Sequence, residues 1–354
     1  MGLMDGTYSY RDLVRKYGLL RVPAYKLKVD GATLGGGVGV ENLNVSLSLE
    51  SASAVSFTVA GVYDLEKRAF LPEVKKKLKL GAKVSLELGY GSTLTQVFQG
   101  YISNVTYQFS DAPGLSVTAM DARCLMMEGD KRERTLVVTT YSAAFQKVME
   151  DYKALCPKLE VDATDADAIT QIVQKSSDYA FITEKLGKEA NREFFILNDT
   201  AYFREKAKAK SPLLTLVWGE GLISFSRSAA YQNLKITVLG FDPEKKEAVK
   251  AQVTEKASDA QTAVGTPHET YILDPDAQEV TKAKNRAEKE AQKRKRKAQQ
   301  GSVGCVGLPE LVPGRFITLK GLDSELDKDY YIKEVHHELG SDGFSTTLEI
   351  GGWS

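Results

Sequence analysis

Two of the three histidines in this 354-residue chain stand side by side, His336 and His337, in the stretch YYIKEVHHELGSDGFSTTLEI. Adjacent imidazoles serve as acid and base, or as metal ligands, only when both rings reach one point. The stretch is rich in aromatic and β-branched residues around a GSDG turn, so it predicts a β-hairpin. Neighbouring strand side chains face opposite ways. His337 is therefore expected with Tyr331, Lys333, Val335 and Leu339, and His336 with Tyr330, Ile332, Glu334 and Glu338. His268, in VGTPHETY, is remote, and no zinc-type spacing surrounds any of the three. Cys124, Cys156 and Cys305 lack a Cys-x-x-Cys pair and read as reduced structural thiols. The glycine cluster LGGGVG is followed by strand pattern rather than by Gly-Lys-Ser/Thr and a helix, so it reads as a connection and not a phosphate cradle. No catalytic, metal-binding or cofactor-binding residue is assigned, and the expectation is a non-enzyme without a cofactor.

One local charge stands out. DPDAQEVTKAKNRAEKEAQKRKRKAQQG opens on capping residues, ends at Gly301 and holds strong helix formers between, which predicts a helix of roughly 20 residues. Val280, Ala283, Ala287 and Ala291 form its thin apolar stripe. Lys293, Arg294, Lys295, Arg296 and Lys297 crowd its C-terminal end, where cations complement the helix dipole. These five are the candidate interaction surface. A basic helix without interleaved aromatics reads as a solvated or inter-chain face, with phosphate-backbone binding as the competing reading.

The elements around these residues set the architecture. Lys plus Arg and Asp plus Glu both total 47, so no global field selects a nucleic acid or a membrane. Apolar runs such as LLTLVWG fall short of the ~20 residues that span a bilayer, and the N-terminus has no secretory pattern. The expectation is synthesis in the cytoplasm without a signal peptide or membrane anchor. Residues 1–21 read as an arm with one short helix. From Val22, AYKLKVDG, NLNVSLSLES, AVSFTVAGVY and the meander from KVSLELGYG to LSVTAMDA predict a first β-barrel over 22–125, with a short helix near LPEVKKKLKLG. An α/β insertion over 126–223 follows, with helical patterns at YSAAFQKVMEDYKAL and on through ATDADAITQIVQKSSDYAFITEKLGKEAN, then a hairpin at REFFILNDTAYFRE. Residues 224–354 read as a second β-barrel, drawing on 224–253 and 303–350 and interrupted by a polar linker and the basic helix at about 254–300. The fold class is mainly β with an α/β insertion, two small barrels flanking it.

The order of VPAYKLKVDG, LGYG…VFQGYISNVTYQF…LSVTAMDA, the Ala-rich charged helix and GLPELVPGRFITLKG…YYIKEVHHELGSDGFSTTLEI resembles the late control D family, the baseplate hub of contractile phage tails, similar in fold to the hub part of type VI secretion spike proteins. Departures are the N-terminal arm, the strongly basic helix and the polar 254–266 connection. The resemblance implies a homotrimeric structural hub with a spike protein on one side, the tail tube on the other, further baseplate proteins as partners, and assembly into a phage tail or tail-like particle. Two other readings compete: a peptidoglycan hydrolase, which needs two carboxylates about 5–10 Å apart in one cleft, and a nucleic-acid-binding module built on the basic helix.

Overall fold

A computed structural model describes residues 3–34, 39–128, 132–165, 170–231, 233–256, 264–275 and 277–351. The chain is mainly β and divides into two compact units, Met1–Ser224 with Gly304–Leu348, and Phe225–Val303 with Glu349–Ser354.

The first unit begins with the arm, whose single α-helix is Tyr10–Lys16. Its first β region is antiparallel, in the order Ala32–Thr33, Pro23–Val29, Lys83–Tyr90, Thr93–Gln108, Gly114–Met120, Ala54–Ala60, Gly39–Ser48. The period-two pattern of AVSFTVA explains its pairing, because Val55, Phe57 and Val59 all turn inward and are at most 1% exposed. Each such side chain contributes about 1.5–3 kcal/mol by leaving water. Gly100 lies where two strands close in: a Cβ there would sit 2.2 Å from the Met120 carbonyl oxygen.

Strands Pro212–Trp218, Gly221–Ala229, Gln299–Val306, Phe316–Lys320, Asp329–Gly340 and Gly343–Gly351 form a six-stranded closed barrel, since Asp329–Gly340 pairs with both its ring neighbours. The same strand also joins the first β region. Its beginning pairs with Phe316–Thr318, whereas Glu334–Leu339 pairs with Leu43–Ser48. The handover shifts its side-chain phase, so that Tyr330 and Ile332 are buried together with Val335 and His337. Regular alternation had put Tyr330 and Ile332 on the face of His336. That grouping is corrected by the change of partner near Lys333.

The insertion packs helix Tyr141–Met149, capped by the Thr140 hydroxyl accepting from Ala143 N–H, against the hairpin Arg192–Leu197 and Thr200–Glu205. Phe145 stacks on Phe203 with ring centroids 4.7 Å apart. Part of the segment expected to be helical is strand instead: Ile172–Ser176 pairs antiparallel with Arg132–Leu136. Gln174 there is fully buried, held by Arg134 and Asp178, so a polar inward residue disguised the two-residue period.

In the second unit, Asn233–Asp242 pairs antiparallel with Glu247–Lys256 and parallel with His268–Leu273, and helix Val280–Ala298 covers one face. The first two of these strands had been assigned to the second barrel. They belong instead to this separate three-stranded sheet, and His268–Leu273 is a further strand inside the stretch read as linker and helix. Local pattern says strand in either case, but the partner is set by a chain reversal after the polar connection, of which 257–263 lie outside the described residues. Among the described residues, no helix is long and apolar enough to cross a membrane.

Candidate interaction surface

The basic helix is held to its sheet by small side chains. Ala283, Ala287 and Ala291 are at most 1% exposed and pack with Ile236, Val238 and Val249, whereas Val280, expected in the same stripe, is exposed. Gly240 permits this closeness: a Cβ would stand 1.9 Å from the Ala277 carbonyl oxygen. The outer helix face is laced with ion pairs, Lys282–Glu279 at 3.6 Å, Lys284–Glu288 at 3.9 Å and Arg286–Asp274 at 3.3 Å. Pairs within a helix contribute about 0.2–0.5 kcal/mol each. Of the five candidate residues, Arg294 is turned inward, donating to Glu290 at 3.2 Å and to the Thr270 hydroxyl at 3.0 Å. It fastens helix to sheet. The side chains of Lys293, Lys295, Arg296 and Lys297 lie outside the described residues, although their backbone is helical.

The histidines are separated as their spacing predicts. His337 is 1% exposed, and its Nδ1 is 2.9 Å from the Thr346 hydroxyl. Burial lowers its pKa to about 3, so the ring is neutral at ordinary pH. His336 lies on the other face with Nε2 3.5 Å from Glu334. On that side a shallow groove of about 160 Å³ is lined by His336, Glu338, Asn44, Ser46, Ser56 and Thr347. All three cysteines are free and buried, and burial pushes the thiols of Cys156 and Cys305 up to about 12. Burial and the raised pKa both disfavour the thiolate, the nucleophilic form.

Several buried carboxylates act as joints. Asp121 accepts from Arg123 Nη2 at 2.7 Å and from Ser53 N–H at 2.8 Å, and Arg123, with no exposed surface, also donates to the Ser48 carbonyl. Asp178 accepts from Arg134, Gln174 and the Tyr152 hydroxyl. Glu193, whose pKa burial raises against the opposing pull of Arg204 and Tyr331, ties the insertion hairpin to strand Asp329–Gly340.

A joint that residue-type reasoning missed is the loop 307–315, GLPELVPGR, buried along its whole length. Glu310 accepts from Lys16 Nζ and the Tyr17 hydroxyl, both at 2.7 Å, which docks the arm. Gly307 O accepts from the Tyr90 hydroxyl, Gly314 O from Arg204, and Arg315 donates to the Met4 carbonyl. Its signal lay in the motif itself: two prolines and two glycines around Glu310, with Arg315 directly after them, mark a loop whose charges need partners.

The barrel, the antiparallel sheet joined to it through one shared strand, and the helix-bearing insertions together define a tail-protein fold. The 43 kDa tail protein of prophage MuSo2 from Shewanella oneidensis superposes with a TM-score of 0.73 at 15% identity, over 93% of this chain and 98% of that one. A tail protein from Neisseria meningitidis MC58 gives 0.73 at 13% identity, over 94% and 97%. The E. coli c3393 protein, described as a type VI secretion system component with structural similarity to T4 bacteriophage tail proteins gp27 and gp5, gives 0.58 at 14%, over 93% and 77%. In sequence, the family described as Alg8 N-terminal domain matches residues 20–341, and this chain belongs to it. No curated protein matches the chain.

Proposed function

We propose that this chain is a structural hub of the late control D kind, in the baseplate of a phage tail or related injection machine. In this reading a homotrimer joins a spike protein on one face to the tail tube on the other, alongside other baseplate proteins. The observation that carries it is the end-to-end backbone likeness to two tail proteins, over at least 93% of this chain and 97% of theirs. Two β regions per chain, the antiparallel sheet and the closed barrel, supply six units in a trimer. Such a ring matches a sixfold tube to a threefold spike. Closed rings also cover strand edges, which otherwise recruit stray chains.

The proposal includes no catalytic centre. Asp121, Asp178 and Glu193 are engaged by arginine, amide, hydroxyl or backbone donors, and such pairing suits welding of segments better than proton transfer. The basic helix serves as a solvated or inter-chain face, because four of its described cations, Lys282, Lys284, Arg286 and Arg294, are matched by nearby acids.

Native mass determination of the purified chain, alone and with its spike partner, tests the hub. A trimer in either sample is expected, whereas a monomer or dimer in the assembled particle overturns it. Clearing of purified peptidoglycan, abolished by one carboxylate substitution, would replace the hub by a hydrolase. For nucleic acid, a variant reversing Lys293, Lys295 and Arg296 to Glu spares the structural Arg294. Tight duplex DNA binding by the wild type, steeply salt-dependent and lost in that variant, would establish the helix as a phosphate reader.

A further inference from the structure

The N-terminal arm sits deep in the first unit and leaves its seat through a turn of the wrong hand. Met4, Leu13 and Tyr17 are buried, the Tyr17 hydroxyl donates to Glu310 and lies 2.9 Å from the Thr95 hydroxyl, and Tyr8 N–H donates to the Leu213 carbonyl at 2.8 Å. Directly after this seat, Gly18, Leu19 and Leu20 have φ of 58°, 61° and 58°. Glycine takes such values freely, but a leucine there crowds its Cβ against the following carbonyl, and left-handed residues occur singly rather than three in a row. Packing does not compensate, since Leu19 is 56% exposed and Val22 65%. The turn is held from both ends instead. Tyr17 is fixed in its seat, and the Val22 carbonyl accepts from Gly91 N–H at 2.8 Å just before strand Pro23–Val29 begins. Residues 18–21 are thereby confined to a tight turn, closed by Leu20 N–H donating to the Tyr17 carbonyl at 3.1 Å.

We propose that in the assembled protein the arms are exchanged: the arm of one copy occupies the seat of a neighbouring copy, and the hinge at 18–21 straightens. The proposal rests on the trimeric reading above and adds to it a surface that holds the copies together. Exchange preserves every seat contact, because the neighbour offers the same seat, so within a trimer the two arrangements differ chiefly in the hinge. An arm at home keeps two leucines left-handed, and an arm that crosses releases them. An empty seat is no alternative. Glu310, 1% exposed, would lose both Lys16 and Tyr17 while still buried. Reach suffices, as residues 18–22 span about 17 Å when straightened. With one arm leaving and one arriving per chain, the exchange closes around the ring and leaves no seat unfilled.

The test is a proximity cross-link in the full chain. Arg11 Nε lies 3.4 Å from Glu220 Oε1, an exposed pair that joins arm to seat, and the three native cysteines are buried. The double variant Arg11→Cys with Glu220→Cys is treated with a two-carbon bis-maleimide over a dilution series followed by mass photometry, and the products are separated on a denaturing gel. The expected result is intrachain linkage where the chain is dilute and monomeric, and covalent dimers and trimers where it is trimeric. Either cysteine alone should give neither. Adding Leu19→Gly and Leu20→Gly lets the turn close without strain and should lower the ratio of interchain to intrachain linkage at least about tenfold, with the fold verified by circular dichroism. Intrachain linkage alone in a trimeric sample overturns the exchange and leaves the trimer standing. A ratio unmoved by the glycines overturns the strained hinge as its cause. A wild-type chain that stays monomeric at every concentration overturns the hub reading and the exchange together.

Discussion

Phe57, Phe145, Phe195 and Phe203 fill the interior of the first unit, each at most 1% exposed, whereas the core of the second unit contains Ala251, Ala277, Ala283, Ala287 and Ala291 beside three branched aliphatics. Buried charge follows the same division. The first unit commits Asp121, Arg123, Glu193 and Arg204 to its interior joints, and the described ion pairs of the second keep partly exposed positions, on its helix and on its sheet. Large buried rings and desolvated pairs define one arrangement at high cost for any departure. Small residues give closeness without much apolar area, so burial contributes less per residue in the second unit.

The severest way to break that contrast is Arg123→Ala. It strands Asp121 without its charge partner and leaves the Ser48 carbonyl unserved, for an expected loss of about 3–5 kcal/mol, read as loss of soluble protein or as a large drop in the urea midpoint. Val335→Pro follows, since Val335 is fully buried in a strand that pairs with Leu47. It should cost about 3 kcal/mol or more, and full assembly of this variant would contradict the shared strand. Ala287→Leu overfills the narrow helix seat and should cost about 1–3 kcal/mol, with faster hydrogen exchange in 233–298 and unchanged protection in the first unit. Spread of the exchange to both units would erase the distinction.

His337 contributes a pH dependence. Its folded pKa of about 3 lies below the ordinary 6.5, so the unfolded chain takes the proton first. Its stabilisation is complete above pH ~6.5 and declines as pH falls toward ~3, at up to about 1.4 kcal/mol per unit. Denaturation midpoints of wild type and His337→Asn should therefore converge on acidification from pH 7 to 5. Parallel curves would remove the histidine from the account. Smallest of all, Lys284→Ala on the outer helix face should shift stability by no more than about 0.5 kcal/mol in a thermal melt.

Much of the local structure was legible in the residues. AVSFTVA alternates, YSAAFQKVM has helical spacing behind a threonine cap, and GSDG turns a hairpin, each visible within ten residues. What escaped were choices made between distant segments. Nothing within NLKITVLGFD tells whether it joins a barrel or a separate sheet, and nothing within DYYIKEVHHEL announces that its partner changes at Lys333. Ile172–Ser176 was hidden because Gln174 points inward, a choice intelligible only once Arg134 and Asp178 are beside it. The candidate interaction surface was read from the most charged run; Arg294 in it fastens helix to sheet, and the side chains of Lys293, Lys295, Arg296 and Lys297 lie outside the described residues.

The shared strand also sets a timetable for synthesis. Ser48 pairs with Glu334, roughly 290 residues later in the chain, so the strand Gly39–Ser48 waits for its second neighbour until almost the whole protein has been made. At ordinary translation rates that interval is about 15–60 s, with a hydrogen-bonding edge open to other nascent chains. The arm waits as long, because Glu310 and Arg315, which receive Lys16, Tyr17 and Met4, emerge just as late. The earliest residues thus find these seats last: truncation before Glu310 removes the arm's late partners and leaves the strand edge unprotected, and truncation between Arg315 and the final hairpin still leaves that edge open.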